Sequence, residues 1–272
     1  MRDFHGRVAV VTGAASGIGR AIAHALADEG CDLAIADIDG DRLAAVEAEI
    51  RERGRKVSAH VIDVADRERM REFPDLVIAE HGRVDILVNN AGVAVAATLA
   101  EHSIEDFEWL VGINLWGVVY GSKFFLPHLL RSDDAYIINL SSMFGIVGVP
   151  GLSSYCATKF AVHGFSDSIR VELANTSVKV MSVHPGGIRT DIVRAARFAS
   201  SHASSQARVV GFFERRAMLP ARAAARIVAG MKSDASRVLI TAEARLADVV
   251  KRLFPVLPSR VVARAHAWVT RT

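Results

Sequence analysis

The stretch Val8-Ala9-Val10-Val11-Thr12-Gly13-Ala14-Ala15-Ser16-Gly17-Ile18-Gly19 leads from an apolar run into a loop with three glycines, and a helical pattern follows at once. A short run rich in β-branched residues is typical of a buried strand. Gly13 permits a tight turn, Gly17 allows the backbone to approach a ligand, and Gly19 allows the helix to pack against the strand. The order of strand, loop and helix therefore predicts an anion site at a helix N-terminus, of the kind that holds the pyrophosphate of a dinucleotide.

Short apolar runs alternate with helical patterns along most of the chain. Seven of these runs are predicted strands: Arg7 to Thr12, Asp32 to Asp37, Val57 to Asp63, Val84 to Asn89, Ala135 to Leu140, Val178 to His184 and Val238 to Thr241. Strands with little polar alternation, separated by helices, imply a parallel sheet covered on both faces. We therefore expect a doubly wound, seven-stranded α/β fold. Pro74 predicts that the helix after the third strand begins late or kinks.

The composition favours a compact soluble protein, because 51% of the 272 residues are hydrophobic and 23% are charged. The two cysteines, Cys31 and Cys156, are too far apart for a metal motif and too few for a disulfide framework, which favours a reducing compartment. The N-terminus lacks an apolar signal core, and no uninterrupted apolar stretch is long enough to span a membrane. We therefore expect a cytoplasmic protein.

The charge is unevenly distributed along the sequence. Through Ile188 the chain has 17 basic and 25 acidic residues, whereas the remainder has 16 basic and 5 acidic residues. A basic C-terminal third is compatible with an anionic partner, although a solvated basic face is the commoner cause of such a bias.

Two carboxylates end the second and third predicted strands. Asp37 is placed to accept hydrogen bonds from the adenosine ribose hydroxyls and to repel a 2′-phosphate, and the next residue is Ile38 rather than a basic residue. This pattern favours NAD over NADP. Asp63, followed by Val64, is expected near the adenine, with a plain turn or helix cap as the alternative. The predicted pyrophosphate loop itself contributes Gly13, Ser16, Gly17, Ile18 and Gly19.

A second polar group gathers at the carboxyl ends of the later strands. Tyr155 and Lys159 are four residues apart on a predicted helix and share one face. An ammonium and a nicotinamide cation nearby would lower the pKa of the phenol and make it a usable general base. Ser142 follows the strand Ala135 to Leu140, and Asn89-Asn90-Ala91-Gly92 ends the fourth strand, so these groups meet where open α/β sheets bind ligands.

This series of motifs resembles the short-chain dehydrogenase/reductase family over residues 6 to about 241. The resemblance rests on the glycine pattern, Asp63-Val64, Asn89 to Gly92, Asn114, Ser142, Tyr155, Lys159 and the Pro185-Gly186 turn. It implies a single-domain Rossmann fold, an NAD(H) cofactor and an activity like that of NAD-dependent alcohol or hydroxysteroid dehydrogenases. It also implies a homodimer or homotetramer.

The resemblance further implies a catalytic tetrad. Ser142 would hydrogen-bond the substrate oxygen, Tyr155 would exchange its proton, and Lys159 would lower the tyrosine pKa and hold the nicotinamide ribose. Asn114 would help to hold a water molecule in a proton relay. The turn that resembles the family's nicotinamide clamp is Pro185-Gly186-Gly187-Ile188-Arg189-Thr190, with the Ile188 backbone and the Thr190 hydroxyl facing the carboxamide. Its second glycine departs from the pattern and is expected to loosen the turn.

The positions expected to line the substrate side are mostly apolar, which favours a hydrophobic secondary alcohol or ketone over a sugar. They are Val93, Val95, Ser142, Met143, Phe144, Val149, Pro150, Leu152 and Tyr155, with Phe198, Phe212 and Phe213 from a loop over about residues 190–217. Some of these apolar side chains are expected to pack the core instead.

Residues 242–272 form an amphipathic basic extension of the predicted catalytic domain, residues 1–241. Leu246, Val249, Val250 and Leu253 recur at helical spacing beside basic residues, and Trp268 and Val269 belong to a second apolar group. Three interpretations stay open: weak contact with a membrane surface, a lid over the pocket, or packing against another subunit.

Three alternative functions are compatible with parts of the sequence. An NADPH-dependent carbonyl or 3-oxoacyl reductase would use the same tetrad, but Asp37 opposes its cofactor. A non-catalytic dinucleotide sensor would not need Tyr155 together with Lys159. Only the basic tail suggests nucleic-acid binding, and we do not expect it.

Overall fold

The computed structural model of the chain describes residues 1, 3–199, 211, 217–258 and 261–263. The described strands are β1 Val8–Thr12, β2 Asp32–Asp37, β3 Val57–Val61, β4 Ile86–Asn89, β5 Val95–Ala96, β6 Ala135–Leu140, β7 Val178–His184, β8 Arg197–Phe198 and β9 Arg237–Leu239. Seven of them form one parallel sheet in the order β3-β2-β1-β4-β6-β7-β9. The predicted seven-stranded parallel sheet is therefore confirmed, with boundaries that differ by one to two residues at several strand ends.

Helices separate the strands and cover both faces of the sheet. They are α1 Gly17–Asp28, α2 Gly40–Glu52, α3 Arg67–His81, α4 Ile104–Val111, α5 Gly117–Leu129, α6 Ser153–Glu172, α7 Pro220–Lys232 and α8 Ala242–Leu253. One layer of apolar side chains joins α1 and α7 to one face of the sheet, and a second layer joins α3 and α5 to the other. Crossover helices of this kind are what parallel strands require.

Of the two outcomes predicted from Pro74, a late start of the third helix or a kink in it, the late start is wrong. The helix begins at Arg67, where the Asp66 carboxylate caps it by accepting hydrogen bonds from the backbone N–H groups of Glu68 and Arg69. Pro74 lies in the body of the helix and is buried on the face that packs into the core. The cap and the burial of this face outweigh the single backbone hydrogen bond that proline removes.

One continuous helical stretch, Ile104–Leu129, is long and apolar enough to cross a membrane by length and composition. It consists of α4, a π-helical turn at Gly112–Trp116, and α5. Its Phe125 and Leu129 are fully buried against the sheet. This packing is that of a core helix, and it carries Asn114 to the carboxyl edge of the sheet.

Strand order reverses between β1 and β4, because β2 and β3 lie on one side of β1 and the later strands lie beyond β4. The loops after these two strands therefore diverge and leave a crevice at the carboxyl edge. Asn90 links the two loops: its side-chain amide donates hydrogen bonds to the carbonyl oxygens of Thr12 (2.9 Å) and Gly13 (3.0 Å). In return, the Thr12 hydroxyl accepts a hydrogen bond from the Asn90 backbone N–H (3.0 Å). This crevice holds the candidate site.

Candidate active site

A cavity of about 750 Å³ lies along the carboxyl edge of the sheet. Its wall contains most of the predicted cofactor residues: Gly13, Ser16, Gly17, Ile18, Asp37, Ile38, Asp63, Val64, Asn90, Ala91, Gly92, Tyr155, Lys159, Pro185, Gly186, Ile188 and Thr190. The same cavity continues to the predicted substrate residues Val93, Ser142, Met143, Phe144, Pro150, Leu152 and Phe198. The volume is in the range of small-molecule and cofactor sites.

The glycine-rich loop has the backbone that an anion site needs. Gly13 and Gly17 have φ angles of +64° and +55°, which L side chains rarely adopt. A β carbon at Gly17 would lie 3.1 Å from the Thr190 methyl group, so the loop and the later turn approach each other closely across the cavity. Gly19 points away from the cavity, and a β carbon there would clash with the carbonyl of Gly13. It serves packing, as predicted for the third glycine.

The N-terminus of α1 faces the cavity through Gly17 and Ile18. Among the described residues, no side chain caps this helix, since the Ser16 hydroxyl makes no cap hydrogen bond and the first turn has no acidic residue. Its first N–H groups and its positive dipole end are therefore open to a negatively charged group. The loop and helix fit the pyrophosphate of a dinucleotide.

Asp37 lies on the cavity wall where β2 ends, at the end of the cavity that is predicted to hold the adenosine. Its carboxylate accepts hydrogen bonds from the backbone N–H groups of Ala15 (2.9 Å) and Asp39 (3.1 Å), so its position is fixed against the glycine loop. Ile38 beside it is exposed, and Val64 is buried across the cavity. A fixed carboxylate between apolar neighbours fits a ribose diol and an adenine.

Sequence reasoning missed a cation at this end of the cavity. Arg42 of α2 lines the wall, and its guanidinium pairs with Asp39 (3.4 Å) and with Asp191 (3.3 Å). Asp191 follows Thr190 and lies at the start of the predicted substrate loop. The ion pair between Arg42 and Asp191 therefore links this loop to the end of the cavity near Asp37. The separation of 149 residues between the two partners left no signal in the sequence.

The side chains of α6 that are predicted to be catalytic lie near the end of β6. Lys159 is almost fully buried, and its ammonium donates a hydrogen bond to the carbonyl of Leu140 (2.8 Å). The same ammonium lies 5.7 Å from the centre of the Tyr155 ring. Ser142 begins a 3₁₀ turn at Met143–Gly145, and its hydroxyl accepts a hydrogen bond from the Phe144 backbone N–H (3.1 Å). The predicted serine, tyrosine and lysine are therefore brought together on the cavity wall.

Burial dominates the acid–base properties of this group. Desolvation raises the pKa of the Tyr155 phenol to about 12, and the hydrogen bond with Ser142 offsets only part of this rise. Desolvation lowers the pKa of the Lys159 ammonium to about 8. The protein side chains alone thus do not produce the expected fall in the tyrosine pKa, because the burial that positions the phenol also disfavours its anion. A fall in the pKa of Tyr155 therefore depends on the positive charge of a bound nicotinamide.

Asn114 lies behind the cavity wall rather than on it. The residue is fully buried on the π-helical turn, and its carboxamide holds both backbone groups of Val93. Its Oδ1 accepts from the Val93 N–H (2.8 Å), and its Nδ2 donates to the Val93 carbonyl (2.9 Å). A β carbon at Gly92 would lie 3.2 Å from Asn114 Oδ1 and 3.5 Å from Lys159 Nζ, so the asparagine lies close to the lysine. Its described contacts fix the loop after β4, and its place in a proton relay stays a prediction.

The turn from Pro185 to Thr190 is held more firmly than its two glycines suggest. The Gly187 N–H donates to the Glu243 carboxylate (3.2 Å), and the Gly187 carbonyl accepts from the Met218 N–H (2.9 Å). A β carbon at Gly186 would clash with the Thr241 hydroxyl and lie 2.7 Å from a Glu243 carboxylate oxygen, so a larger residue here would displace both side chains. The expectation of a loosened turn is therefore not met. Sequence reasoning missed Glu243, which belongs to the C-terminal extension and lies in the first turn of α8.

The substrate end of the cavity is mostly apolar. Besides the predicted residues, its wall contains Ala94, Ala96, Trp109, Ile192, Val193 and Ala196. Two of the described residues predicted for this end lie outside the wall, namely Val95 and Val149. Val95 is buried in a small apolar cluster with Leu110 because β5 directs it away from the cavity.

The start of the substrate loop is fixed to the rest of the site. Residues of β8 pair in parallel with β5, and Arg197 lies over the Trp109 ring, with 3.6 Å between Cζ and the ring centre. The same guanidinium pairs with Asp106 of α4. Of the predicted loop over about 190–217, Phe198 lies on the cavity wall, whereas Phe212 and Phe213 lie outside the described residues.

Comparisons with known proteins show to which family the chain is similar. A family model described as short chain dehydrogenase matches residues 7–201. A protein of Mycobacterium tuberculosis H37Rv with the provisional name oxidoreductase SadH is 42% identical over 271 residues and covers 98% of each chain. The 3-oxoacyl-[acyl-carrier-protein] reductase FabG of Thermotoga maritima is 36% identical over 185 residues, which are 68% of this chain and 75% of that protein.

Solved structures of short-chain dehydrogenases and related enzymes are also similar to this chain. A short-chain dehydrogenase/reductase from Burkholderia phymatum in complex with NAD has a TM-score of 0.88 and 28% identity, and the match covers 94% of this chain and 96% of that one. An alcohol dehydrogenase from Thermococcus sibiricus complexed with 5-hydroxy-NADP has a TM-score of 0.74 and 30% identity, with coverage of 86% and 94%. Proteins similar to this chain thus bind either type of nicotinamide dinucleotide.

Proposed function

The chain belongs to the short-chain dehydrogenase family of oxidoreductases, and on that premise we propose that it transfers a hydride between NAD(H) and a hydrophobic secondary alcohol or ketone. The observation that carries the proposal is the continuity of one cavity. It has Asp37 at one end, Tyr155 and Lys159 further along, and an apolar wall beyond them. This order matches a dinucleotide whose nicotinamide end reaches a lipophilic substrate.

In this proposal Tyr155 is the general acid and base. Its phenol takes the hydroxyl proton of the alcohol during oxidation and returns a proton to the carbonyl oxygen during reduction. Ser142 holds the substrate oxygen beside the phenol, and Lys159 presents a positive charge under the ring. The bound nicotinamide supplies the hydride chemistry, while the protein positions the groups around it. Asn114 keeps the loop after β4 in place and takes the relay position implied for the family.

The geometry at Asp37 supports NAD as the cofactor. A carboxylate fixed at the ribose would oppose a 2′-phosphate through like-charge repulsion, which costs several kcal/mol in a close contact. We expect wild-type kcat/KM to be at least about tenfold higher with NAD than with NADP. Asp37→Asn should narrow the ratio of the two kcat/KM values, and Asp75→Asn, at an exposed carboxylate of α3 away from the cavity wall, serves as the matched control. Equal use of both cofactors by the wild-type enzyme would contradict this assignment.

The wall beyond Tyr155 supports a lipophilic substrate class. Side chains such as Trp109, Met143 and Phe198 offer apolar surface and few partners for the hydroxyls of a polyol. A turnover screen of lipophilic secondary alcohols with NAD, read by the absorbance of NADH, tests this directly. Turnover of polyols at rates equal to those of lipophilic alcohols would refute the substrate class.

A second candidate is an NADPH-dependent 3-oxoacyl reductase, favoured by the likeness to FabG. It would use the same Ser142, Tyr155 and Lys159 in the reducing direction. Arg42 on the cavity wall is the cation that a 2′-phosphate would require, although Asp39 and Asp191 already pair with it. Reduction of a 3-oxoacyl thioester with NADPH, faster than any alcohol oxidation with NAD, would select this candidate.

We also propose a cytoplasmic homodimer or homotetramer. Cys31 and Cys156 are free and buried, which suits a reducing compartment. Trp116 of the π-helical turn and Phe160 of α6 are large apolar side chains that are partly exposed, and they suit a contact between subunits. Light scattering on the purified chain distinguishes a dimer or tetramer from a monomer.

A further inference from the structure

The helix α8 leaves its large apolar side chains exposed. Its buried residues are Ala244 and Asp248, whereas Leu246, Val249 and Leu253 are exposed by 65%, 52% and 67%. A surface helix normally buries its apolar stripe and exposes its polar one. The apolar side of α8 therefore faces outward and needs a partner other than the sheet.

The apolar surface continues beyond the end of the helix. Phe254, Val256, Leu257 and Val261 are all exposed by more than two fifths of their surface. Scattered exposed apolar residues are normal, but seven of them within sixteen positions are a concentration of the kind that marks an interaction surface. We call the exposed apolar residues 246–261 the tail patch.

Charge identifies the kind of surface that fits the tail patch. Residues 242–272 contain six basic and two acidic residues. Both acidic residues are engaged toward the protein, because Glu243 accepts from the Gly187 N–H and Asp248 pairs with Arg237 (2.8 Å) and Arg252 (3.1 Å). The segment therefore combines an exposed apolar side of α8 with an excess of basic residues in its sequence, and that combination is typical of helices that lie in the interface of an anionic bilayer.

The fold places this patch beside the substrate end of the site. α8 packs against the 3₁₀ turn Met143–Gly145, and Met143 and Phe144 of that turn line the apolar end of the cavity. A bilayer in contact with α8 would bring dissolved lipophilic molecules close to this end. We propose that the tail patch docks on the surface of an anionic lipid bilayer, lying on it rather than spanning it.

Flotation with lipid vesicles tests the proposal independently of catalysis. The full chain should float with phosphatidylcholine vesicles that contain phosphatidylglycerol and should float much less with pure phosphatidylcholine at low salt. Arg245→Gln and Lys251→Gln should each weaken binding about fivefold, the effect of one basic residue near an anionic surface. The triple variant Leu246→Ser/Val249→Ser/Leu253→Ser should lose at least about tenfold in binding.

The matched control is Leu99→Ser/Val171→Ser, which removes two side chains that are each 77% exposed elsewhere on the surface. It should float like the wild type, and thermal melting should show that all variants are folded. Failure of the full chain to float with anionic vesicles would overturn the proposal, as would equal binding by the triple variant and the control. If the wild type does not float and the triple variant has a lower molar mass than the wild type, the tail patch binds a second copy of the chain instead of a bilayer.

Discussion

The burial of Lys159 makes it possible to measure how much this residue of the candidate site lowers the free energy of unfolding. The ammonium is buried with an exposed fraction of 3%, and it donates a hydrogen bond to the carbonyl of Leu140. Desolvation lowers its pKa from 10.5 to about 8, so the unfolded chain binds the proton more tightly than the folded chain does. At 1.36 kcal/mol per pKa unit, the penalty for keeping the group charged is about 3 kcal/mol.

The pH dependence follows from the direction of this shift. Below pH 8 the folded chain carries the full penalty, and between pH 8 and 10.5 the penalty disappears because the folded chain loses the proton first. Lys159→Met removes the titrating group while keeping a flexible apolar side chain of similar length. The difference in free energy of unfolding, variant minus wild type, should therefore fall by about 3 kcal/mol between pH 7 and pH 10.5. The unpaired carbonyl of Leu140 adds an offset that does not change with pH.

Urea unfolding of both proteins across this pH range measures the difference, because other titrating groups cancel between them. Lys123→Met, at an exposed lysine on α5, is the control, and its difference from the wild type should stay within about 0.5 kcal/mol. A difference for Lys159→Met that stays constant with pH would refute the argument that burial controls this lysine. The variant should also lose turnover at every pH.

Two further variants test contacts that hold the ends of the site. Glu243→Ala removes the acceptor for the Gly187 N–H and should raise KM for NAD about tenfold with a smaller change in kcat, whereas Glu243→Gln keeps an oxygen there and should retain part of the affinity. An unchanged KM for NAD in Glu243→Ala would count against a role for the extension in cofactor binding. Arg197→Ala removes the contact with Trp109 and should raise KM for a lipophilic alcohol about fivefold while NADH binding stays the same. Loss of NADH affinity in Arg197→Ala would show that this contact supports the whole site rather than the substrate end.

The sequence predicted the sheet well because its strands are short apolar runs bounded by clear turn residues. The late start predicted for the helix that contains Pro74 was wrong, because the cap at Asp66 and burial in the core outweigh the local effect of the proline. The two-residue strands β5 and β8 were not predicted, since their pairing joins Val95 to Arg197 across about a hundred residues and leaves no periodic pattern. Local signals thus define the framework, while pairing over long distances defines the entrance of the site.

The residues of the candidate site likewise divide into those that local sequence patterns predict and those that depend on contacts between distant parts of the chain. Gly13, Asp37, Tyr155 and Lys159 could be placed on one cavity from the sequence, because each follows a strand or opens a helix at the carboxyl edge. Glu243 could not be found, because nothing local signals that a helix in the C-terminal extension returns to a turn 56 residues earlier. The direction of the Tyr155 pKa was also beyond sequence reasoning, because desolvation depends on the packing around the ring.

The central claim is that Tyr155 exchanges the proton while the cavity binds NAD(H) independently of the phenol. The most direct measurement is steady-state turnover of Tyr155→Phe beside the wild type, together with a fluorescence titration of NADH with both proteins. The account predicts that the variant loses at least about a hundredfold in kcat, the contribution of a general acid or base, while its Kd for NADH changes less than about threefold. Turnover by Tyr155→Phe at a rate close to that of the wild type would contradict the account.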